Sequence, residues 1–118
     1  MEFGPSRSQQ ATDISVAIIS IHRVSYEHEL DSVETVVREN LVASVLRFEV
    51  PPAEQLVTQA GDGAAVMRLY DATESSLEIS LRAAVERTTG RTVVAFQSSM
   101  NPQHGIIFED FVLAPAAA

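Results

Sequence analysis

The sequence predicts an α+β fold: two layers, with an antiparallel four-stranded sheet made from two β-hairpins and helices on one face, in the order α-β-β-α-α-β-β. Three observations carry that reading. The apolar period changes from 3.6 to 2 across Gly90, between Ala83-Ala84-Val85 and Arg91-Thr92-Val93-Val94. Two pairs of β-rich runs each flank a turn signal, Glu39-Asn40 in one and Asn101-Pro102-Gln103-His104-Gly105 in the other. The 118 residues, 46% apolar, suffice for one core and not for two.

Residues 1–8, with Gly4 and Pro5, read as a lead-in, residues 9–113 as a single domain, and residues 114–118 as a tail. From Gln9 to His28 the pattern is helical, with Ile14, Ile18, Ile21 and Ser25 on one face and Thr12 or Asp13 available as a cap. Val33 to Arg38 and Leu41 to Phe48 read as strands, and Asn40 suits the tight turn between them because Asn tolerates positive φ. Pro51 stops the second strand. Pro52 then opens a short helix to Gln59, with Glu54 near its positive end. Gly61-Asp62-Gly63 breaks it.

Ala64 to Thr89 reads as one long helix. Val66, Leu69/Tyr70, Thr73, Leu77, Leu81 and Ala84/Val85 form its apolar face. Glu74, Glu78, Arg82 and Glu86 step along the other face, with Glu78–Arg82 and Arg82–Glu86 as adjacent pairs. Such a helix runs about 40 Å, against an expected radius of gyration of roughly 13–14 Å. Either it breaks near Asp71-Ala72-Thr73, or it protrudes and finds a partner chain. Gly90 ends it in a left-handed conformation. Arg91 to Gln97 and Ile106 to Leu113 form the second hairpin. The last strand is apolar on both faces and is expected to be central or covered.

Composition narrows function mainly by exclusion. Net charge is −8, so the surface repels phosphate backbones and nucleic acid is not an expected partner. There is no cysteine, hence no disulfide, thiol catalysis or cysteine metal site. No apolar run approaches the roughly 20 residues of a membrane span, and the N-terminus lacks the pattern of a secretory signal. The expectation is a cytoplasmic protein that reaches a membrane only through a partner.

The residues also match a known family. Val85-Glu86-Arg87-Thr88-Thr89-Gly90-Arg91-Thr92-Val93-Val94-Ala95-Phe96-Gln97-Ser98, then Asn101-Pro102 and Phe111-Val112-Leu113, carry the match. Leu41 to Phe48 followed by Val50-Pro51-Pro52-Ala53-Glu54-Gln55-Leu56-Val57, and Ile14 to His22, extend it over about residues 9 to 113. The chain resembles the bacterial family of MpsC-like domains, named for a component of the sodium-translocating, membrane-potential-generating system. One segment departs: the family's Gly-Arg-Gly-Pro-like loop after the first helix is replaced by Ser25-Tyr26-Glu27-His28-Glu29-Leu30-Asp31. The resemblance implies an accessory or regulatory role beside a membrane complex, with no assigned catalytic residues.

Glu27, His28 and Glu29, with His22 nearby, form a His/carboxylate cluster, but no two of them have the spacing of a known metal motif. A solvated helix end explains them better, and no metal or cofactor is expected. Ser98-Ser99 has no histidine or acid placed with it, so a triad is a poor reading. Gly61-Asp62-Gly63 lacks the lysine of a phosphate loop. Three residues remain as partner- or ligand-binding candidates. Arg87 and Arg91 flank Gly90 and, if not engaged externally, complement the helix C-terminus or pair with Glu109 or Asp110. His104 sits in the second turn. The reading is a non-enzymatic interaction domain, homodimeric through the long helix or a sheet edge. The alternatives are a small-ligand sensor and, last, a metal-dependent enzyme using the His22/His28 region.

Overall fold

The structure is a computed structural model that describes residues 4–26 and 29–116. Its elements follow the expected order: α1 (Arg7–Arg23), β1 (Ser32–Val37), β2 (Leu41–Arg47), α2 (Pro52–Gln59), α3 (Gly63–Thr89), β3 (Val93–Asn101) and β4 (Ile106–Leu113). The strands form one antiparallel sheet in the order β1-β2-β4-β3. The two hairpins therefore meet along β2 and β4. Strand β4 is internal, as its two apolar faces require, and β1 and β3 are the edges.

Helix α1 begins earlier and ends earlier than the periodicity suggests. Ser6, not Thr12 or Asp13, caps it, its Oγ accepting from the Gln9 N–H at 3.0 Å. It stops at Arg23, where the Ser25 and Tyr26 N–H groups both donate to the His22 carbonyl. Ile14, Ile18 and His22 form its buried stripe, at helical spacing of four. Ser15 Oγ donates to Thr35 Oγ1 at 2.8 Å, and Thr35 pairs with Ser44 at 2.9 Å, tying α1 to β1 and β2 through a short hydroxyl chain.

The first turn needs no positive φ. Arg38 N–H bonds the Leu41 carbonyl at 2.8 Å, and the positive φ values among the described residues belong to Gly61, Gly90 and Gly105. Helix α3 is continuous, with no break near Ala72. The longest dimension is 58 Å and the radius of gyration 15.4 Å, above the value expected for a sphere-like domain of this length. Val66, Tyr70, Leu77, Leu81, Ala84 and Val85 are buried along it. Glu74 is buried too, which corrects its assignment to the charged face.

Gly90 closes α3 with φ 69° and ψ 18°, its N–H bonding the Glu86 carbonyl at 2.8 Å. Strand β3 starts at Val93 rather than Arg91, and a bulge between Val93 and Ala95 shifts its register on β4. Of the two adjacent pairs expected on α3, Arg82 Nε donates to Glu78 Oε2 at 2.8 Å. Glu86 instead accepts from the Val93 N–H at 2.9 Å, pinning the start of β3. Gly105 in the second turn has φ 62°, and a Cβ there would sit 2.1 Å from the Phe48 carbonyl oxygen.

Strand alternation divides the sheet. Val42, Leu46, Ile107, Phe111 and Leu113 turn toward α1 and α3 and are buried. Val36, Leu41, Phe108 and Val112 turn the other way and remain 39–44% exposed. The register sets Leu41 against Val112 and Val45 against Phe108, so these apolar side chains are neighbours on the open face.

Candidate functional site

Three polar side chains are sealed between the layers: His22 from α1, Glu74 from α3 and Glu109 from β4, at 1%, 3% and 0% exposure. Each is placed by an apolar pattern. His22 continues the Ile14–Ile18 stripe, Glu74 lies one turn from Tyr70 and three residues before Leu77, and Glu109 alternates with Ile107 and Phe111.

His22 Nδ1 lies 2.8 Å from the Ile18 carbonyl oxygen. A carbonyl only accepts, so Nδ1 carries the hydrogen and Nε2 faces the acids. Nε2 is 3.2 Å from Glu74 Oε2 and 2.8 Å from Glu109 Oε2. Glu109 Oε2 is held by this ion pair, while Glu109 Oε1 and Glu74 Oε1 have no hydrogen-bond partner among the described residues. Ser44 and Ser98 stand opposite Glu109 in register, yet neither satisfies it. Tyr26 O–H donates to Glu74 Oε2 at 2.8 Å.

Charge follows from this geometry. Burial opposes the imidazolium of His22, but Glu109 and Glu74 outweigh burial and push its pKa up to about 10. Burial, with Glu74 beside it, pushes Glu109 up to about 8 against the pull of His22. Burial also resists ionisation of Glu74, but His22 holds its pKa below the usual carboxylate value. The cluster thus favours a cationic histidine and an ionised Glu74, with Glu109 pushed toward its protonated form. An aromatic row runs outward from it: His22 stacks on Tyr26 at 5.4 Å, Tyr26 on Tyr70 at 5.3 Å and Tyr70 on Phe48 at 5.5 Å. Tyr70 O–H donates to Glu54 Oε1 at 2.6 Å, fixing α2 at the far end.

The residues singled out in the sequence fall elsewhere. Arg91 does not pair with Glu109 or Asp110. Its guanidinium bonds the Glu39 carbonyl, Asn40 Oδ1 and the Ala114 carbonyl, joining the first turn to the end of β4. Arg87 is exposed in the last turn of α3 and forms no ion pair among the described residues. His104 is exposed and lines an open groove of about 950 Å³ with Phe48, Val50, Gln55 and Met100. Of the predicted acidic cluster, Glu27 and His28 lie outside the described residues, and His22 faces inward.

Fold and site define a two-layer α+β domain whose polar cluster is buried in its core and whose sheet is open and apolar on the far side. A family model described as the Na+-translocating membrane potential-generating system, MpsC, matches residues 6–115, and the chain belongs to that family. No curated protein and no solved structure matches it. No helix among the described residues is long and apolar enough to cross a membrane.

Proposed function

We propose that this chain is a non-enzymatic accessory domain of a membrane-potential-generating system, acting as a homodimer that docks on a membrane component. Family membership supports the link to the system. The observation that carries the self-association is the open sheet face, where Val36, Leu41, Phe108 and Val112 form one apolar surface with Ala43 and Val45 between them. A sheet normally buries one face and wets the other. A contiguous exposed apolar patch of this kind marks an interaction surface.

A second copy is the occupant that fits. The chain carries net charge −8, so two copies repel except where charge is sparse. The patch is such a place. Asp110 is the acid near its centre, and Glu34 at its margin is paired with Arg47 at 3.7 Å. This moves the interface from the long helix or a sheet edge to the sheet face, because β1 carries Glu34 and β3 carries Gln97, Ser98 and Ser99 along the edges. A photo-reactive residue at Ser99, on the open face, tests the self-association in cells. Adducts at twice the chain mass support the proposal. Equal labelling from exposed Ile79 on α3 counts against it.

The groove beside His104 supports a second reading, a small-ligand sensor. A metabolite that raises the melting temperature of the wild type, and not of a Met100→Glu variant, favours it.

A further inference from the structure

We infer that His22, Glu74 and Glu109 form a binding site for one divalent transition-metal ion, with Zn2+ the ion best matched to them. Their ligand atoms, one nitrogen and two carboxylate oxygens, lie within 4.8 Å of one another. At metal–ligand bonds of about 2.0–2.2 Å, ligand atoms of a tetrahedral centre stand roughly 3.3–3.6 Å apart. The Nε2 distance of 3.2 Å to Glu74 needs to open by about 0.1–0.4 Å and that of 2.8 Å to Glu109 by about 0.5–0.8 Å.

Three independent features point to an ion rather than to a plain ion pair. Oε1 of the fully buried Glu109 and Oε1 of Glu74 lack hydrogen-bond partners among the described residues, and Glu109 Oε2 has only its ion pair to His22. Buried carboxylate oxygens left so are costly, and a cation satisfies them at once. His22 is oriented as metal-bound histidines are, with Nδ1–H on a backbone carbonyl, which turns Nε2 toward both carboxylates. Tyr26 O–H on Glu74 orients that carboxylate in the same way.

Charge selects the valence and chemistry selects the metal. Binding displaces the protons of His22 and Glu109 to solvent; the two carboxylates and neutral imidazole that remain balance a dication, leaving a neutral group in a low-dielectric interior. Imidazole disfavours the oxygen-seeking Ca2+ and Mg2+ and suits Zn2+. The three ligands come from α1, α3 and β4, so the ion would clamp both helices to the sheet.

The test uses tag-free protein stripped with chelator, dialysed, and titrated with ZnCl2 in a calorimeter, with the histidine ring 15N signals followed in parallel by NMR. One Zn2+ per chain is expected, with a change at His22 and none at His104. Glu109→Gln, checked for folding by circular dichroism, should weaken binding at least tenfold, while His104→Gln leaves it unchanged. Absence of Zn2+ uptake by the wild type overturns the inference. So does binding that survives Glu109→Gln, or an NMR change confined to His28 or His104. The wild-type NMR result decides the matter if Glu109→Gln fails to fold.

Discussion

Glu109 stands against His22 at 2.8 Å in the core, although they are 87 positions apart in sequence with five elements between theirs. Neither is exposed, and Glu109 together with Glu74 offsets the cost of burying the His22 charge. Removing one partner therefore leaves an uncompensated group. His22→Ala is predicted to destabilise the fold by about 3–5 kcal/mol, the range for breaking a buried pair. Urea unfolding of the two proteins measures it, and a loss below 1 kcal/mol would show that the cluster is hydrated.

The same cluster sets the pH dependence of metal-free protein. The folded-state pKa of His22 is raised from 6.5 to about 10, so its contribution is complete below pH 6.5 and lost as pH rises toward 10. Glu109 is raised from 4.5 to about 8, and its contribution too is present at low pH and lost across that interval. Glu74, lowered, acts oppositely and loses its contribution in acid. In chelator, the melting temperature should be highest at about pH 5–6 and fall steadily toward pH 10. His22→Gln should flatten the fall, which differential scanning calorimetry at stepped pH reads directly.

The two structural glycines should respond differently to alanine. At Gly90 nothing lies within 4 Å of an added Cβ, so Gly90→Ala meets only the positive φ, at about 1 kcal/mol. At Gly105 the Cβ would also strike the Phe48 carbonyl, which itself is held by the Phe48 N–H to Gly105 carbonyl bond of 2.9 Å. Gly105→Ala should cost more than Gly90→Ala in paired denaturation curves. The reverse order would mean that the second turn moves freely.

Much of this fold was legible because its signals are local. Pro52 at the start of α2, Gly90 at the end of α3 and the alternation of Ile106 to Leu113 each act within a few residues. The site was not, because its signals are exceptions to those same patterns. Glu74 shares an interval of four with Glu78, Arg82 and Glu86, which suggests a wet face, yet it also lies one turn beyond Tyr70 on the buried one. Glu109 occupies an inward position between Ile107 and Phe111, and that alternation was the available signal. Arg91 looked free because its partners, the Glu39-Asn40 turn and Ala114, are brought to it only by the β2–β4 pairing.

Asp110 gives a gain-of-function test of the open face. It lies between Phe108 and Val112 on β4, opposite Ala43 and Gln97, and burial raises its pKa. Face-to-face association would desolvate it further. Asp110→Asn should therefore tighten self-association several-fold by sedimentation equilibrium, without lowering the melting temperature. Weaker association would place Asp110 in a favourable contact, and unchanged association would place it outside the interface.

The most direct test of the interaction-domain account is light scattering coupled to size exclusion at micromolar concentration. Leu77 is unsuitable as a probe because it is buried in the protomer's own core, so a charge there tests folding. Phe108 is 39% exposed on the open face and can be charged without emptying the core. The account predicts twice the 12.8 kDa chain mass for the wild type and a single chain mass for a folded Phe108→Glu variant. A wild type that elutes at one chain mass across the micromolar range, or a Phe108→Glu variant that stays dimeric, would contradict it.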